Sequence, residues 1–319
     1  MGEPGKILIT GAAGFVGVAL CRRLAGLGLP LRAVVRRGGT PLPRALAASL
    51  DDVVSVDGLT DSRVWGTLLE GVDAVVHLAA RTHCFDNEGA SSDLYFRDNL
   101  DAGVALGETA QQSGVRRLIF LSTIKVNGEG AWGDDRQPFK VSDRLRPQGP
   151  YAISKWRTEQ ELRRLCQGAQ TPTLTIIRPP LIYGAGAKGN LALLQKWIVR
   201  GLPLPIPRGG NRRSLLDLES LVGFIEFYLL HPEANPQTVL VADQQDWSTA
   251  RFFAATAQKL GRRARLFQVP LFWLRVASTI TRQETLFIKM FGSLRVDGRM
   301  KARSFVGSRQ ALSKKAPTV

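Results

Sequence analysis

Cysteine is scarce in this sequence. Cys21, Cys84 and Cys166 are odd in number and share no metal-ligand spacing, which excludes a disulfide framework and a thiolate metal site and leaves them as reduced packing residues. Histidine is as rare, and His77, His83 and His231 form no ligand cluster, so no metal is expected. Long hydrophobic runs are missing as well. The longest late in the chain, 271–274 followed by Val276 and Ala277, is interrupted by Arg275 and falls far short of the ~20 apolar residues that span a bilayer. The opening residues up to Lys6 lack the apolar core and cleavage site of a secretory leader, and a cytoplasmic location is expected. Acidic residues are outnumbered, 27 Asp and Glu against 43 Lys and Arg, and 13 of those cations lie within 262–319 against only Glu284 and Asp297. Such an excess suits a polyphosphate ligand, a nucleic acid or an anionic membrane surface. Aromatic and basic residues are not interleaved in any nucleic-acid-binding pattern, so no nucleic-acid partner is expected.

What is present is ordinary for a globular enzyme, 44% hydrophobic and 22% charged residues, with length enough for one large core or two smaller ones. Residues 6–10 read as a short apolar strand that runs into Gly11, Gly14, Phe15, Val16 and Gly17 and then a helical pattern over 18–27. This is the strand, glycine loop and helix of a dinucleotide fold: Gly11 permits the tight turn, Gly14 lets backbone amides approach a pyrophosphate, and Gly17 allows close helix packing. Further strands are expected over 31–35, 52–56, 73–80, 117–123 and 173–177, with a helical segment carrying Asn99 over 93–113. Strands alternating with helices give an α/β fold with a doubly wound parallel sheet, and its ligands bind beyond the strand C-termini, where Ala79, Ala80, Ser122 and Thr123 fall. After the second strand stand Arg36 and Arg37, where a carboxylate would pair with a free ribose 2′-hydroxyl. Two arginines there favour NADP(H), with NAD as the alternative, and Asp57 after the third strand is expected near the adenine. Residues 1–178 thus read as a dinucleotide-binding domain, 179–303 as a substrate lobe partly interleaved with it, and 304–319 as a basic tail without a fold of its own.

Tyr151 and Lys155 lie four apart, a spacing that stacks phenol and ammonium on one helix face. An unperturbed tyrosine titrates near pH ~10, so acid–base work near neutrality requires a shift of about 3 units, or roughly 4 kcal/mol. One ammonium ~4 Å away at an effective dielectric of ~20 supplies about 4 kcal/mol. A surface helix that merely carries both residues is the competing reading. A second helical pattern aligns Trp273, Val276, Ala277, Ile280, Phe287 and Phe291, with Arg275, Arg282 and Lys289 off the stripe. Such a stripe is expected to pack into the substrate lobe, the alternative being peripheral contact with an anionic membrane.

Thr10-Gly11-x-x-Gly14-x-x-Gly17, His77-Leu78-Ala79-Ala80, Asn99, Ser122-Thr123 and Tyr151-x-x-x-Lys155 stand in one order over residues 6–300. With them the sequence resembles the extended short-chain dehydrogenase/reductase family of nucleotide-sugar epimerases, dehydratases and reductases. The run 122–129 looks like its bacterial surface-polysaccharide branch, whose members act on UDP-N-acetylhexosamine derivatives. The resemblance implies that Thr123 hydrogen-bonds the sugar oxygen, Tyr151 transfers its proton, and Lys155 holds the nicotinamide ribose and depresses the tyrosine pKa. It implies cofactor contacts for the glycine loop, Leu78, Ala79, Ala80, Asn99, Ser122 and Arg178, and substrate contacts for Lys125, Asn190 of the Gly189-Asn190 pair, and Arg213 or its neighbour Arg212. Ile124 and Lys125 replace the Asp and Glu with which sugar dehydratases eliminate water, so dehydration is disfavoured, and the family's closing Gly-Trp-x-Pro segment is missing. The expected activity is NADPH-dependent reduction at C4 of a UDP-4-keto-6-deoxy-N-acetylhexosamine, ahead of a 4-epimerase that retains NAD. A scaffold that had lost chemistry would show a broken Tyr/Lys pair. The partner is a UDP-sugar, and a homodimer is left open.

Overall fold

The computed structural model describes residues 5–82, 92–132, 137–168, 172–187, 190–208, 210–231, 234, 237–282 and 284–298. His83, Cys84, Gly189 and the tail expected over 304–319 lie outside the described residues. The first half alternates β1 (Lys6–Thr10), α1 (Phe15–Ala25), β2 (Leu31–Arg36), α2 (Arg44–Ala47), β3 (Asp52–Val56), α3 (Ser62–Leu69), β4 (Val72–His77), α4 (Ser92–Tyr95), a π-helical turn (Phe96–Asp101), α5 (Ala102–Gln112), β5 (Arg117–Leu121), α6 (Gly149–Leu165) and β6 (Thr173–Arg178). There follow β7 (Leu181–Tyr183), α7 (Asn190–Val199), β8 (Leu204–Pro207), β9 (Leu215–Asp217), α8 (Leu218–Leu230), β10 (Thr238–Leu240), α9 (Thr249–Lys259), β11 (Leu266–Val269), α10 (Leu271–Ile280) and α11 (Glu284–Phe291).

Seven strands form one sheet in the order β10-β6-β5-β4-β1-β2-β3, and every neighbouring pair is parallel. Because successive side chains alternate faces, the apolar strands feed two separate cores. Ile7, Ile9, Ala33, Ala74, Val76, Ile119 and Ile177 pack against Leu20 and Leu24 of α1 and Leu221, Phe224 and Ile225 of α8. On the opposite face Leu8, Val34, Val75, Leu118, Phe120 and Ile176 meet Trp65 and Leu68 of α3, Leu106 of α5 and Leu162 of α6. The residues after 178 divide between two places. Helix α8 and strand β10 return to the main sheet, and β7 pairs β9 against the same core through Ile182 and Leu216, whereas β8 pairs β11 beside α7 and α9.

Two strands end earlier than their apolar runs, for the same physical reason. The Thr10 hydroxyl accepts from the backbone amides of Leu78 and Ala79, both at 3.1 Å, and draws the chain off the β4 ladder after His77. Thr123 leaves β5 to cap the 3₁₀ turn Ile124–Val126, its oxygen accepting from the Lys125 amide at 3.3 Å. The late amphipathic stripe is also divided, because Arg282 takes up a left-handed φ of 54° between α10 and α11. Phe291 is buried and Phe287 half-buried against it, as expected of a packing stripe, but Trp273 and Ile280 are exposed.

A Cβ on Gly17 would lie 2.2 Å from the Gly11 carbonyl oxygen and 2.7 Å from Ala12, where nothing can give, whereas at Gly66 within α3 a Cβ would meet nothing within 4 Å. Gly17→Ala should therefore cost about 1–3 kcal/mol by overpacking and displace α1 from the glycine loop. Gly66→Ala should add about 0.5–1 kcal/mol by helix propensity. Urea midpoints of the two variants, moving in opposite directions from wild type, check the pair.

Candidate active site

Beyond the C-terminal ends of the parallel strands lies a cavity of about 790 Å³ lined by Gly11, Gly14, Val35, Arg36, Asp57, Gly58, Leu78, Ala79, Ala80 and Asp98. Its floor is the loop whose glycines carry no Cβ: at Gly11, held at φ +64°, a side chain would run into the backbone of Ala79 at 2.8 Å. Helix α1 begins at Phe15 directly behind it, aiming the positive end of its dipole and its first amides at the cavity. The side chains of Phe15 and Val16 pack on the core rather than line the cavity. The glycine loop and the helix terminus suit the pyrophosphate of a nicotinamide dinucleotide.

The two arginines expected at the ribose part company. Arg36 ends β2 and lines the cavity, 3.7 Å from Asp98, while Arg37 does not line it and makes an exposed ion pair at 3.4 Å with Asp57 at its edge. Asn99, expected as a cofactor contact, follows the cavity-lining Asp98. Buried in the π-helical turn, its amide accepts from the Arg81 amide (2.8 Å) and donates to the Arg81 carbonyl (3.2 Å) and to Ser154 Oγ (2.9 Å), tying the loop after β4 to α6.

Thr123 lies within hydrogen-bonding reach of the Tyr151 phenol, and Tyr95 stands edge-on to the Tyr151 ring at 6.4 Å. Lys155, one turn further along α6, is buried with Nζ 3.8 Å from the centroid of the Phe120 ring. Burial pushes the phenol up to about 12, against the Thr123 hydrogen bond, which pulls it down. Burial likewise draws the Lys155 ammonium down to about 7, with Glu159 opposing. His77, beneath it, falls to about 3 through burial and then the charge of Lys155.

Glu159 was not legible as a site residue, yet it organises the far side of this face. It accepts from Arg178 Nε at 2.9 Å, from Arg178 Nη2 and from Ser122 Oγ, with Arg163 at 3.7 Å. Arg178 Nη1 donates to Asn127 Oδ1 at 3.0 Å. Arg178 and Ser122, both expected as cofactor contacts, are held by Glu159 through these hydrogen bonds. The spacing of Glu159 four residues after Lys155 was the signal available in the sequence.

On the substrate side, Arg213 donates to the carbonyls of Gly292 (3.1 Å) and Ile288 (3.4 Å), and burial lowers its pKa to about 10 against the charge of Glu129. Glu129 also pairs with Lys125 at 3.3 Å, so two expected substrate cations share one carboxylate that sequence reasoning missed. Arg213 borders a second cavity, about 340 Å³, lined by Leu181, Leu191, Leu204, Leu215, Trp247 and Phe252. Arg212 is exposed, its backbone amide donating to Ser293 Oγ. Asn190 opens α7, and its side chain lies outside the described residues. Among the described residues no cluster of His, Cys, Asp and Glu could hold a metal ion.

Lys155 ordinarily titrates near 10.5. With its native pKa drawn down to about 7, the unfolded chain binds more protons across the interval between those values, and stability rises with pH there. The urea midpoint of wild type should climb from neutral to alkaline pH, and that of Lys155→Met should be flatter; parallel profiles would remove the buried ammonium as the cause.

The model of the NAD dependent epimerase/dehydratase family matches residues 7–242. UDP-glucose 4-epimerase of Vibrio cholerae is 33% identical over 296 residues, which cover 92% of this chain and 88% of that protein. N-acetyl-alpha-D-glucosaminyl-diphospho-ditrans,octacis-undecaprenol 4-epimerase of Escherichia coli O157:H7 is 26% identical, over 83% of this chain and 75% of its own. Among solved structures, MoeE5 in complex with UDP-glucuronic acid and NAD shares the fold with a TM-score of 0.71 at 23% identity, covering 95% of this chain and 93% of that one.

Proposed function

Because the chain belongs to the NAD dependent epimerase/dehydratase family, we propose that it is an oxidoreductase acting at C4 of a UDP-sugar, working in the cell as an NADPH-dependent 4-keto reductase on a UDP-4-keto-6-deoxy-N-acetylhexosamine. A bound nicotinamide dinucleotide supplies the hydride. The residues supply the rest. Tyr151 holds and moves the proton at the C4 oxygen, Thr123 orients that oxygen, and Lys155 presents a buried cation to the developing charge. Gly11, Gly14, Arg36, Leu78, Ala79 and Ala80 hold the dinucleotide, while Arg213 and Lys125, balanced by Glu129, meet the diphosphate of the sugar nucleotide. Ile124 and Lys125 leave the site without the acidic pair that dehydration needs.

The observation that carries the chemistry is the Thr123–Tyr151 hydrogen bond with the Lys155 ammonium one turn away. Preference for a 2′-phosphate is argued from Arg36, which borders the cavity at the end of β2, where Val35 stands in place of a carboxylate, although Asp57 and Asp98 line the same cavity and Asp98 lies 3.7 Å from Arg36. The competing reading is a 4-epimerase with retained NAD. It is favoured by the Vibrio cholerae relative, a UDP-glucose 4-epimerase, and by the NAD held by MoeE5.

Tyr151→Phe should keep the fold and dinucleotide affinity and lose about 10²- to 10⁴-fold in kcat; turnover within a few-fold of wild type would remove Tyr151 from its role. The ratio of kcat/KM for NADPH over NADH, with a 4-keto UDP-sugar, should exceed about tenfold in wild type. It should collapse towards one in Arg36→Ala and change less in Arg37→Ala, whose guanidinium does not line the cavity and is paired with Asp57. A wild-type ratio near or below one, or NAD that co-purifies with the protein, would promote the epimerase.

A further inference from the structure

Helix α10 has two unlike faces. Leu274 and Ser278 turn inward and are buried, while Phe272, Trp273 and Ile280 are 65%, 60% and 76% exposed, and Phe267 on the preceding strand is 48% exposed. At helical spacing Phe272, Trp273, Val276 and Ile280 occupy one arc of the outer surface, and the Phe272 and Trp273 rings meet edge-on at 5.4 Å. Large apolar side chains exposed singly are unremarkable on a protein surface, but a contiguous group on one helix marks a contact. Its borders are mainly basic: Arg262, Arg263, Arg265, Arg275 and Arg282 are all exposed and no Asp or Glu occurs within 262–282, with exposed Glu284 at the start of α11 the next acid along the chain.

We propose that the outer face of α10 is a peripheral membrane contact, on which the helix lies flat in the interface of an anionic phospholipid bilayer. The charge pattern selects this occupant: Phe272, Trp273 and Ile280 enter the boundary between headgroups and acyl chains, and the surrounding guanidinium groups pair with lipid phosphates. A second copy of the chain fits less well, because a two-fold contact through this face sets the arginine border against itself. No described helix is long and apolar enough to cross a membrane, so the contact is in-plane. Helix α10 packs on α11, where the Ile288 carbonyl receives Arg213, which sets the contact one helix away from the substrate-side arginine. The inference holds for either direction of the C4 reaction.

Co-sedimentation of the full chain with phosphatidylcholine vesicles, and with vesicles enriched in phosphatidylglycerol, tests it at low and physiological salt. At low salt at least about tenfold more protein should pellet with the anionic vesicles, falling several-fold as screening shortens to about 8 Å at physiological ionic strength. Phe272→Ser/Trp273→Ser/Ile280→Ser should lose the binding while its melting temperature and its turnover of a water-soluble substrate stay as in wild type. Arg262→Glu/Arg263→Glu/Arg265→Glu should lose the anionic preference. Pelleting no greater than without vesicles, or undiminished in the serine variant, overturns the proposal. So does a dimer in lipid-free sedimentation velocity that the serine variant dissociates, which would give this face to a second copy.

Discussion

Glu159 on α6 and Arg178 at the end of β6 are both buried, and a carboxylate and a guanidinium can stay charged there only because each saturates the other. Two guanidinium nitrogens meet the two carboxylate oxygens, the third reaches Asn127, and Ser122 adds its hydroxyl. Such a pair adds little net stability relative to an apolar replacement, yet removing one member typically costs about 3–5 kcal/mol. What it fixes is registry. Ser122 immediately precedes Thr123, and Glu159 lies two turns along the helix that carries Tyr151, so one carboxylate ties together both chain segments whose hydroxyls meet in the site. A rigid outer ring of this kind lets a few polar atoms hold their geometry at the end of a sheet.

Much of the fold was legible because parallel strands buried on both faces are written as short apolar runs, and the glycine spacing after β1 has few uses other than phosphate binding. The resemblance carried by Thr10 to Gly17, His77 to Ala80, Asn99, Ser122-Thr123 and Tyr151-x-x-x-Lys155 leads to the family the chain belongs to. What stayed hidden depended on contacts between distant residues. Thr10 captures amides nearly seventy residues away and so shortens β4. Strand β10, three residues long, has no pattern of its own and is defined by its pairing with β6. Arg178 reads as a ligand-facing cation until its partner Glu159 is found, since nothing local distinguishes an arginine turned inward from one turned outward.

Electrostatics shows the same division. The chain is rich in arginine, but the arginines have unlike occupations: Arg178 is locked within a buried pair, Arg213 is held by main-chain carbonyls, Arg37 is paired at the surface, and Arg36 borders the cavity. The Tyr151 and Lys155 arrangement is more delicate than a simple attraction. Each is buried and each is pushed towards its neutral form, so the phenol keeps the proton it can donate while the ammonium gives up its proton more readily than an exposed one. Proximity along the helix was readable, but the competing loss of hydration was not, because it depends on Phe120 and the sheet beneath.

The interleaving of the small lobe with the sheet has a consequence for biosynthesis. A ribosome delivers β1 to β6 first, and domains generally begin to fold from the N-terminal end as they emerge. Yet the core beneath α1 is covered by α8, the edge of the sheet is closed by β10, and Arg213 acquires its carbonyl acceptors only from Ile288 and Gly292. An early nascent chain therefore holds a glycine loop and a tyrosine on an uncovered sheet, an apolar surface suited to chaperone capture. The carbonyls that hold Arg213 arrive only after some 290 residues have left the exit tunnel, so this part of the small lobe closes last within the lifetime of a single translation.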